Sequence, residues 1–230
     1  MGGAGRSQIV GKDMTSKELI SKTKHFVQYQ LADAEGGHDW FHIERVYKNA
    51  LHTAKSEQVN LTIVALGALL HDIADSKFHN GDESLGPQKA REFLFSINAD
   101  SQMIEHVVNI VTHISFKGGN EAPAFYSKEL AVVQDADRLD AIGAIGIART
   151  FNYGGYKNRK LFDPAIKPNL NMSKEEYKAS TAPTINHFYE KLLLLKELMN
   201  TPTGKKMAEQ RHRFMELFLE QFYAEWDGER

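Results

Sequence analysis

No proline interrupts the long periodic stretches of this 230-residue chain, and within them apolar residues recur at helical spacing. From Ser16 onward, Leu19, Ile20, Thr23, Phe26, Val27 and Gln30 keep that spacing until Glu35-Gly36-Gly37 breaks it. A second helix is read from about Asp39, with Ile43, Val46, Tyr47, Ala50, Leu51 and Ala54 as its apolar stripe. Residues 61–74 are apolar nearly all round, through Ile63, Val64, Ala65, Leu66, Ala68, Leu69 and Leu70. A helix of that kind belongs inside a core. Further helices are predicted over 86–97, with Pro87 near the first turn, and over 101–114, opened by a Ser101 cap. One long buried helix is expected within 128–150, around Val132, Val133, Ala136, Leu139, Ile142 and Ile145. Lys117-Gly118-Gly119-Asn120 reads as a turn. Residues 151–172, with aromatic and basic residues, Gly154-Gly155 and two prolines, read as a loop or lid. Two amphipathic helices follow over 184–199 and 202–226, separated by Asn200-Thr201-Pro202. No alternating strand pattern occurs. The expectation is an all-α protein: a flexible stretch over 1–15, then one helical domain over 16–230 that carries an additional C-terminal helical pair.

Composition removes several function classes. Hydrophobic residues are 42% of the chain, enough for a core, so overall disorder is excluded. The 28 basic and 30 acidic residues give a formal net charge of −2, and a duplex-binding protein needs the opposite bias. There is no strong nucleic-acid signal. With no cysteine, disulfides, thiolate metal sites and a Cys nucleophile are all ruled out. That usage suits a reducing, cytoplasmic compartment. No apolar run reaches the roughly 18 residues needed to cross a bilayer, so no membrane partner is expected. The first seven residues lack the apolar segment of a signal peptide. Gly2 does not suit myristoylation, because Arg6 stands where that motif wants Ser or Thr.

Polar residues stand where a core should be. His71 and Asp72 end the most apolar helix, Asp137 lies between Ala136 and Leu139 on another, and His42 flanks the stripe of a third. A carboxylate is costly to bury unless it is paired, hydrogen-bonded or bound to a metal. Any one of these residues alone has a bland explanation: a hydrogen-bonded core histidine, a helix-end Asp72, an Asp137 paired with Arg138 or Arg149. Together, two histidines and two aspartates from three helices supply a mixed imidazole and carboxylate set that suits Mg²⁺, Mn²⁺, Fe or Zn²⁺.

On these residues the chain resembles the HD superfamily of metal-dependent phosphohydrolases, whose pattern is H…HD…D. The likeness falls on Asp39-Trp40-Phe41-His42-Ile43-Glu44-Arg45-Val46, on Leu69-Leu70-His71-Asp72-Ile73-Ala74-Asp75 and on Gln134-Asp135-Ala136-Asp137-Arg138-Leu139-Asp140-Ala141, and so covers about residues 25–150. Downstream, Ile185-Asn186-His187-Phe188-Tyr189-Glu190-Lys191-Leu192 is similar to a bacterial subgroup of predicted HD hydrolases. The resemblance implies an HD helical bundle with His42, His71, Asp72 and Asp137 as ligands of one divalent metal ion: Mn, Mg, Fe, Co, Ni or Zn. His38 competes with His42, and the spacing to Val46 favours His42. Asp135 and Asp140 compete with Asp137, and the Ala-Asp-Arg-Leu context favours Asp137, leaving the other two as supporting or surface groups.

A divalent ion with open positions acidifies a bound water and draws charge from a phosphoryl oxygen. The activity implied is hydrolysis of a phosphoester or phosphoanhydride, with a small phosphorylated compound, a nucleotide by family likeness, as substrate. Asp75, three positions after Asp72, is the implied catalytic acid or base. Arg45, Lys77, His113, Arg138, Tyr153, Lys157 and Arg159 are candidates for holding substrate or phosphate. His106 and His113, seven apart on one helical face, are candidates for a second metal. Relative to guanosine tetraphosphate hydrolases, Ala74 and Asp75-Ser76 stand where those carry a Glu-Asp pair, which weakens that substrate. The alternatives are a nucleotide-binding regulatory module without turnover and a binuclear phosphodiesterase or oxygenase. The apolar rows Leu192 to Leu195 and Phe214, Leu217, Phe218 and Phe222 are read as core packing, with a share available for a homodimer contact.

Overall fold

The computed structural model describes residues 14–32, 34, 39–74, 82–114, 124–173, 176 and 179–230, and among them the chain is helical with no strand. Caps set several starts. Ser16–Gln30 (α1) begins at a reciprocal cap, in which the Glu18 N–H donates to the Thr15 hydroxyl and the Thr15 N–H to the Glu18 carboxylate. Trp40–Ala54 (α2) is opened by Asp39, whose carboxylate accepts from the His42 N–H at 3.0 Å. Leu61–Leu70 (α3) is opened by Asn60, which accepts from the N–H groups of Thr62 and Ile63. Leu85–Ser96 (α4), Ser101–His113 (α5), Lys128–Asp140 (α6) and Gly143–Tyr156 (α7) follow. The chain closes with Asn186–Glu190 (α8), a 3-10 helix over Leu192–Leu198, and Pro202–Trp226 (α9).

α3 is the central element. Every residue from Ile63 to Leu70 is buried, and α1, α2, α5 and α6 pack around it. α6 divides two apolar clusters. Val132, Val133 and Ala136 join the first with Val46, Leu66, Leu69 and Ile110. One turn later Leu139 joins the second, with Ile142, Ile185, Phe188, Leu192, Met215 and Leu219. Among the described residues no helix is long and apolar enough to cross a membrane.

Four local expectations need correction. The helix at 101–114 is capped by Asp100, not Ser101, because the Asp100 carboxylate accepts from the N–H groups of both Gln102 and Met103. The single helix within 128–150 is two helices. Gly143 takes a left-handed φ of +72°, which redirects the chain between α6 and α7. The loop at 151–172 starts late, because α7 continues to Tyr156. The helix at 184–199 is instead α8 followed by the 3-10 helix, broken at Lys191. Three residues per turn put Leu192 and Leu195 on one inward face and leave Leu194 exposed. The turn read at residues 117–120 and the break at 35–37 lie outside the described residues.

One buried carboxylate of α6 gathers several donors from the C-terminal part. Asp135 is fully buried. It accepts from the Asn200 N–H (2.8 Å), the Asn200 side-chain amide (3.0 Å), the Thr201 N–H (2.8 Å) and the Thr201 hydroxyl (2.7 Å). The same Thr201 hydroxyl accepts from the Gly204 N–H and so caps α9. Removing the carboxylate strands several buried donors, at about 1–3 kcal/mol each. Asp135→Ala is therefore expected to cost about 3 kcal/mol and to lower the melting temperature by roughly 6–12 °C, measured by thermal and urea unfolding. A melting curve that matches the parent would show that the clasp contributes nothing.

Candidate metal centre

α2, α3 and α6 bring four side chains to one point. His42 sits at the third position of α2, where the Asp39 cap fixes the start of the helix. His71 caps the C-terminus of α3, and Asp72 follows it. Asp137 projects from the third turn of α6. His42 Nε2 lies 3.6 Å and His71 Nε2 3.7 Å from the same Asp137 oxygen, Oδ1. Asp72 Oδ2 is 4.0 Å from His42 Nε2. Donor atoms of His42, His71 and Asp72 all lie within 4.8 Å of one another, the span of groups that share an ion.

Both imidazoles are oriented through their other nitrogen. His71 Nδ1 is 2.8 Å from the Ala68 carbonyl, and His42 Nδ1 is 2.8 Å from Asp140 Oδ2. A carbonyl can only accept, so His71 Nδ1 donates, which leaves Nε2 as the atom that faces the shared point. The Asp140 carboxylate imposes the same tautomer on His42. This is the arrangement by which a carbonyl or carboxylate readies a histidine for a metal. The residues present fit a divalent cation.

Electrostatics agree. Burial pushes His42 down, toward the neutral ligand form, against the pull of Asp140. Burial opposes charge on His71 too, yet the Asp137 and Asp72 carboxylates raise it to about 9. Burial would raise Asp137, but His71 and His42 hold it well below the ordinary carboxylate range. His71 and Asp137 are thus shifted by mutual attraction across this point, whereas His42 is held neutral by its burial.

Asp140 lies one turn beyond Asp137 and is 1% exposed. It accepts from Arg45 Nε (2.7 Å) and Nη2 (3.0 Å), from Arg149 Nη1 (2.8 Å) and from His42. Burial would raise its pKa, but the bonds from His42 and Arg45 bring it down to about 2. Sequence reasoning left Asp140 as a supporting or surface group and named Arg149 only as a possible partner of Asp137, whereas Arg149 bonds Asp140. The usable signal was spacing: 137 and 140, like 42 and 45, are three apart and share a helical face. With neutral imidazoles, Asp72, Asp137 and Asp140 against Arg45 and Arg149 leave a formal charge of −1. A divalent ion turns this to +1, which suits an anionic phosphate.

The other candidates are placed elsewhere. Arg45 is engaged on Asp140. Arg138 donates to the Leu198 carbonyl and lies 3.8 Å from Asp135, so it ties the end of the 3-10 helix to α6. His113 Nδ1 is 2.8 Å from the Asn109 carbonyl. His106 Nε2 is 3.0 Å from the Ser127 hydroxyl and 3.5 Å from Glu129. The two histidines flank the Phe125 ring and do not join the cluster of His42, His71 and Asp72. Tyr153, Lys157 and Arg159 gather at the end of α7. Asp75, Lys77 and His38 lie outside the described residues.

A family profile described as HD domain matches residues 40–142, the span that carries all four converging groups. YpgQ of Bacillus subtilis (strain 168) is 37% identical over 218 residues, covering 94% of this chain and 97% of that protein. This chain belongs to the HD family. An HD-superfamily hydrolase of Bacillus thuringiensis superposes on this HD protein with a TM-score of 0.76 at 44% identity, covering 93% of this chain and 100% of the other. Bacillus subtilis YpgQ in complex with ADP superposes with a TM-score of 0.74 at 32% identity, covering 92% and 97% of the two chains. The all-α class expected from the sequence is the observed one, and the family likeness holds.

Asp140→Asn keeps the shape of the side chain but replaces one acceptor oxygen by a donor. Its expected effect is a 10- to 100-fold weaker affinity for Mn²⁺, measured by calorimetry. The pH dependence of stability changes as well. Folding lowers the Asp140 pKa from 3.8 to about 2, so its contribution is present above 3.8 and fades as the pH falls toward 2. Asp140→Asn should flatten the stability profile across that window. A variant that keeps the parent slope and the parent affinity would remove Asp140 from this role.

Proposed function

We propose that this protein is a divalent-metal-dependent phosphohydrolase that cleaves a phosphoester or phosphoanhydride bond of a nucleotide or related small phosphate compound. One observation carries the reading: two Nε2 atoms, each with its ring held through Nδ1, face one oxygen of Asp137 at 3.6 and 3.7 Å. His42, His71, Asp72 and Asp137 would hold one ion. When bound, that ion supplies Lewis acidity to a phosphoryl oxygen and acidity to a coordinated water.

The chain's own residues supply the rest. Asp140 holds His42 in register, and Arg45 holds Asp140. Arg149, beside Asp140, adds positive charge where phosphoryl oxygens gather negative charge in the transition state. In the overall step water attacks phosphorus, the bond from phosphorus to the leaving oxygen breaks, and that oxygen takes a proton. Asp75, three residues after Asp72, is our choice for the group that moves this proton. The ADP complex of the Bacillus subtilis relative supports a nucleotide as the phosphorylated compound.

The test is a panel of nucleotides and phosphate esters assayed with Mn²⁺, Co²⁺, Mg²⁺, Ni²⁺ and Fe²⁺. We expect turnover with at least one ion and a loss of at least roughly 100-fold in His71→Ala. Asp137→Asn is expected to lose most bound metal, by elemental analysis, while its circular dichroism stays helical. Inactivity with every ion would overturn the hydrolase reading. Full metal stoichiometry in Asp137→Asn would show that Asp137 is not a ligand.

A further inference from the structure

α7 leads away from the metal centre, and its outward face changes character along the way. Arg149, at its middle, touches Asp140. Tyr153 is four residues on and Tyr156 seven, so all three share one face, about 6 and 10 Å along the axis. The inward face is fixed: Gly154 is buried, and a Cβ there would collide with the Thr184 hydroxyl. The helix ends in a left-handed Asn158, φ +53°. The Arg159 N–H returns to the Gly154 carbonyl (2.8 Å) and the Asn158 N–H to that of Gly155 (3.0 Å). This turn folds Arg159 back over the helix, with its guanidinium carbon 5.6 Å from the centre of the Tyr153 ring. Lys157 Nζ lies 5.7 Å from the Tyr153 ring centre and 5.1 Å from that of Tyr156.

Two large aromatic rings therefore stand in solvent on a rigid support, Tyr153 at 52% and Tyr156 at 63% exposure. The cations beside the rings are Lys157 and Arg159, the latter also donating to the Ser180 carbonyl (2.6 Å), while Arg149 and Lys160 are paired with Asp140 and Asp163. Tyrosine faces accept planar π-systems of any base type, and adjacent cations hold the phosphate that comes with them. Simple packing does not explain the cluster, since the rings bury little surface against the fold. Its continuity with Arg149 sets the direction of a ligand that spans both.

We infer that Tyr153 and Tyr156, with Lys157 and Arg159, form a shelf for the nucleobase end of a nucleoside di- or triphosphate whose terminal phosphates lie at the metal centre beside Arg149. This rests on the proposed phosphohydrolase reading for the position of the phosphates. The shelf confers a preference for nucleotides over bare polyphosphate without reading base identity.

The experiment uses the full Mn²⁺-loaded chain and two readouts: ADP binding by calorimetry, and the ratio of kcat/KM for ATP to kcat/KM for inorganic tripolyphosphate. The double variant Tyr153→Ala, Tyr156→Ala is expected to weaken ADP binding roughly tenfold or more and to lower that ratio by a similar factor. Tyr153→Phe, which keeps the ring, is expected to stay within about twofold of the parent. Unchanged ADP affinity in the double variant, beside a parent that turns over nucleotides, would overturn the shelf and leave the hydrolase standing. ADP binding that weakens in the double variant of a protein with no turnover would support the shelf and overturn the hydrolase. A parent that neither binds ADP nor hydrolyses either compound would overturn both.

Discussion

A carboxylate cannot be left bare inside an apolar core, and α6 carries Asp135 and Asp140 into one, with the half-exposed Asp137 at its margin. Each must find a partner, and each finds a different kind. Asp135 takes backbone and side-chain donors from Asn200 and Thr201, Asp140 takes two guanidinium groups and an imidazole, and Asp137 faces two imidazole nitrogens. These partners come from α2, the end of α3, α7 and the segment before α9. Satisfying the charges of α6 thus decides how the remaining elements are arranged around it. The apolar clusters on either side supply the bulk of the burial, but burial has no direction. The aspartates give it one.

The site follows from this. A bare pair of imidazoles is a poor cation trap, because each ring can flip or take the wrong tautomer. Here the Ala68 carbonyl and the Asp140 carboxylate fix both rings from behind. α2, the end of α3 and α6 each contribute to the converging groups.

Much of this was legible in the order of residues, and the reason is locality. Caps, helical spacing and the oddity of His71-Asp72 at the end of an apolar helix are all readable within a dozen residues. So was the pairing of 42 with 45 and of 137 with 140, had the one-turn relation been followed through. What stayed hidden depends on distant partners. Nothing near Asp135 announces Asn200 and Thr201 far downstream, so its burial was unforeseeable from its neighbours. The division of α6 from α7 turns on the single backbone conformation of Gly143. The 3-10 helix hid for a related reason: a run of four leucines suits a wide apolar face in an α-helix equally well, and only packing chose the tighter winding.

The three-residue interval between Asp137 and Asp140 has one more implication. Each residue of an α-helix advances the side chain by about 100°. Adding or deleting a single position between them would swing one carboxylate away from its partners, whatever amino acid were inserted. A change in the number of residues in that turn would dismantle the imidazole alignment and the arginine pairing in the same stroke, so the register of the segment is held from both sides.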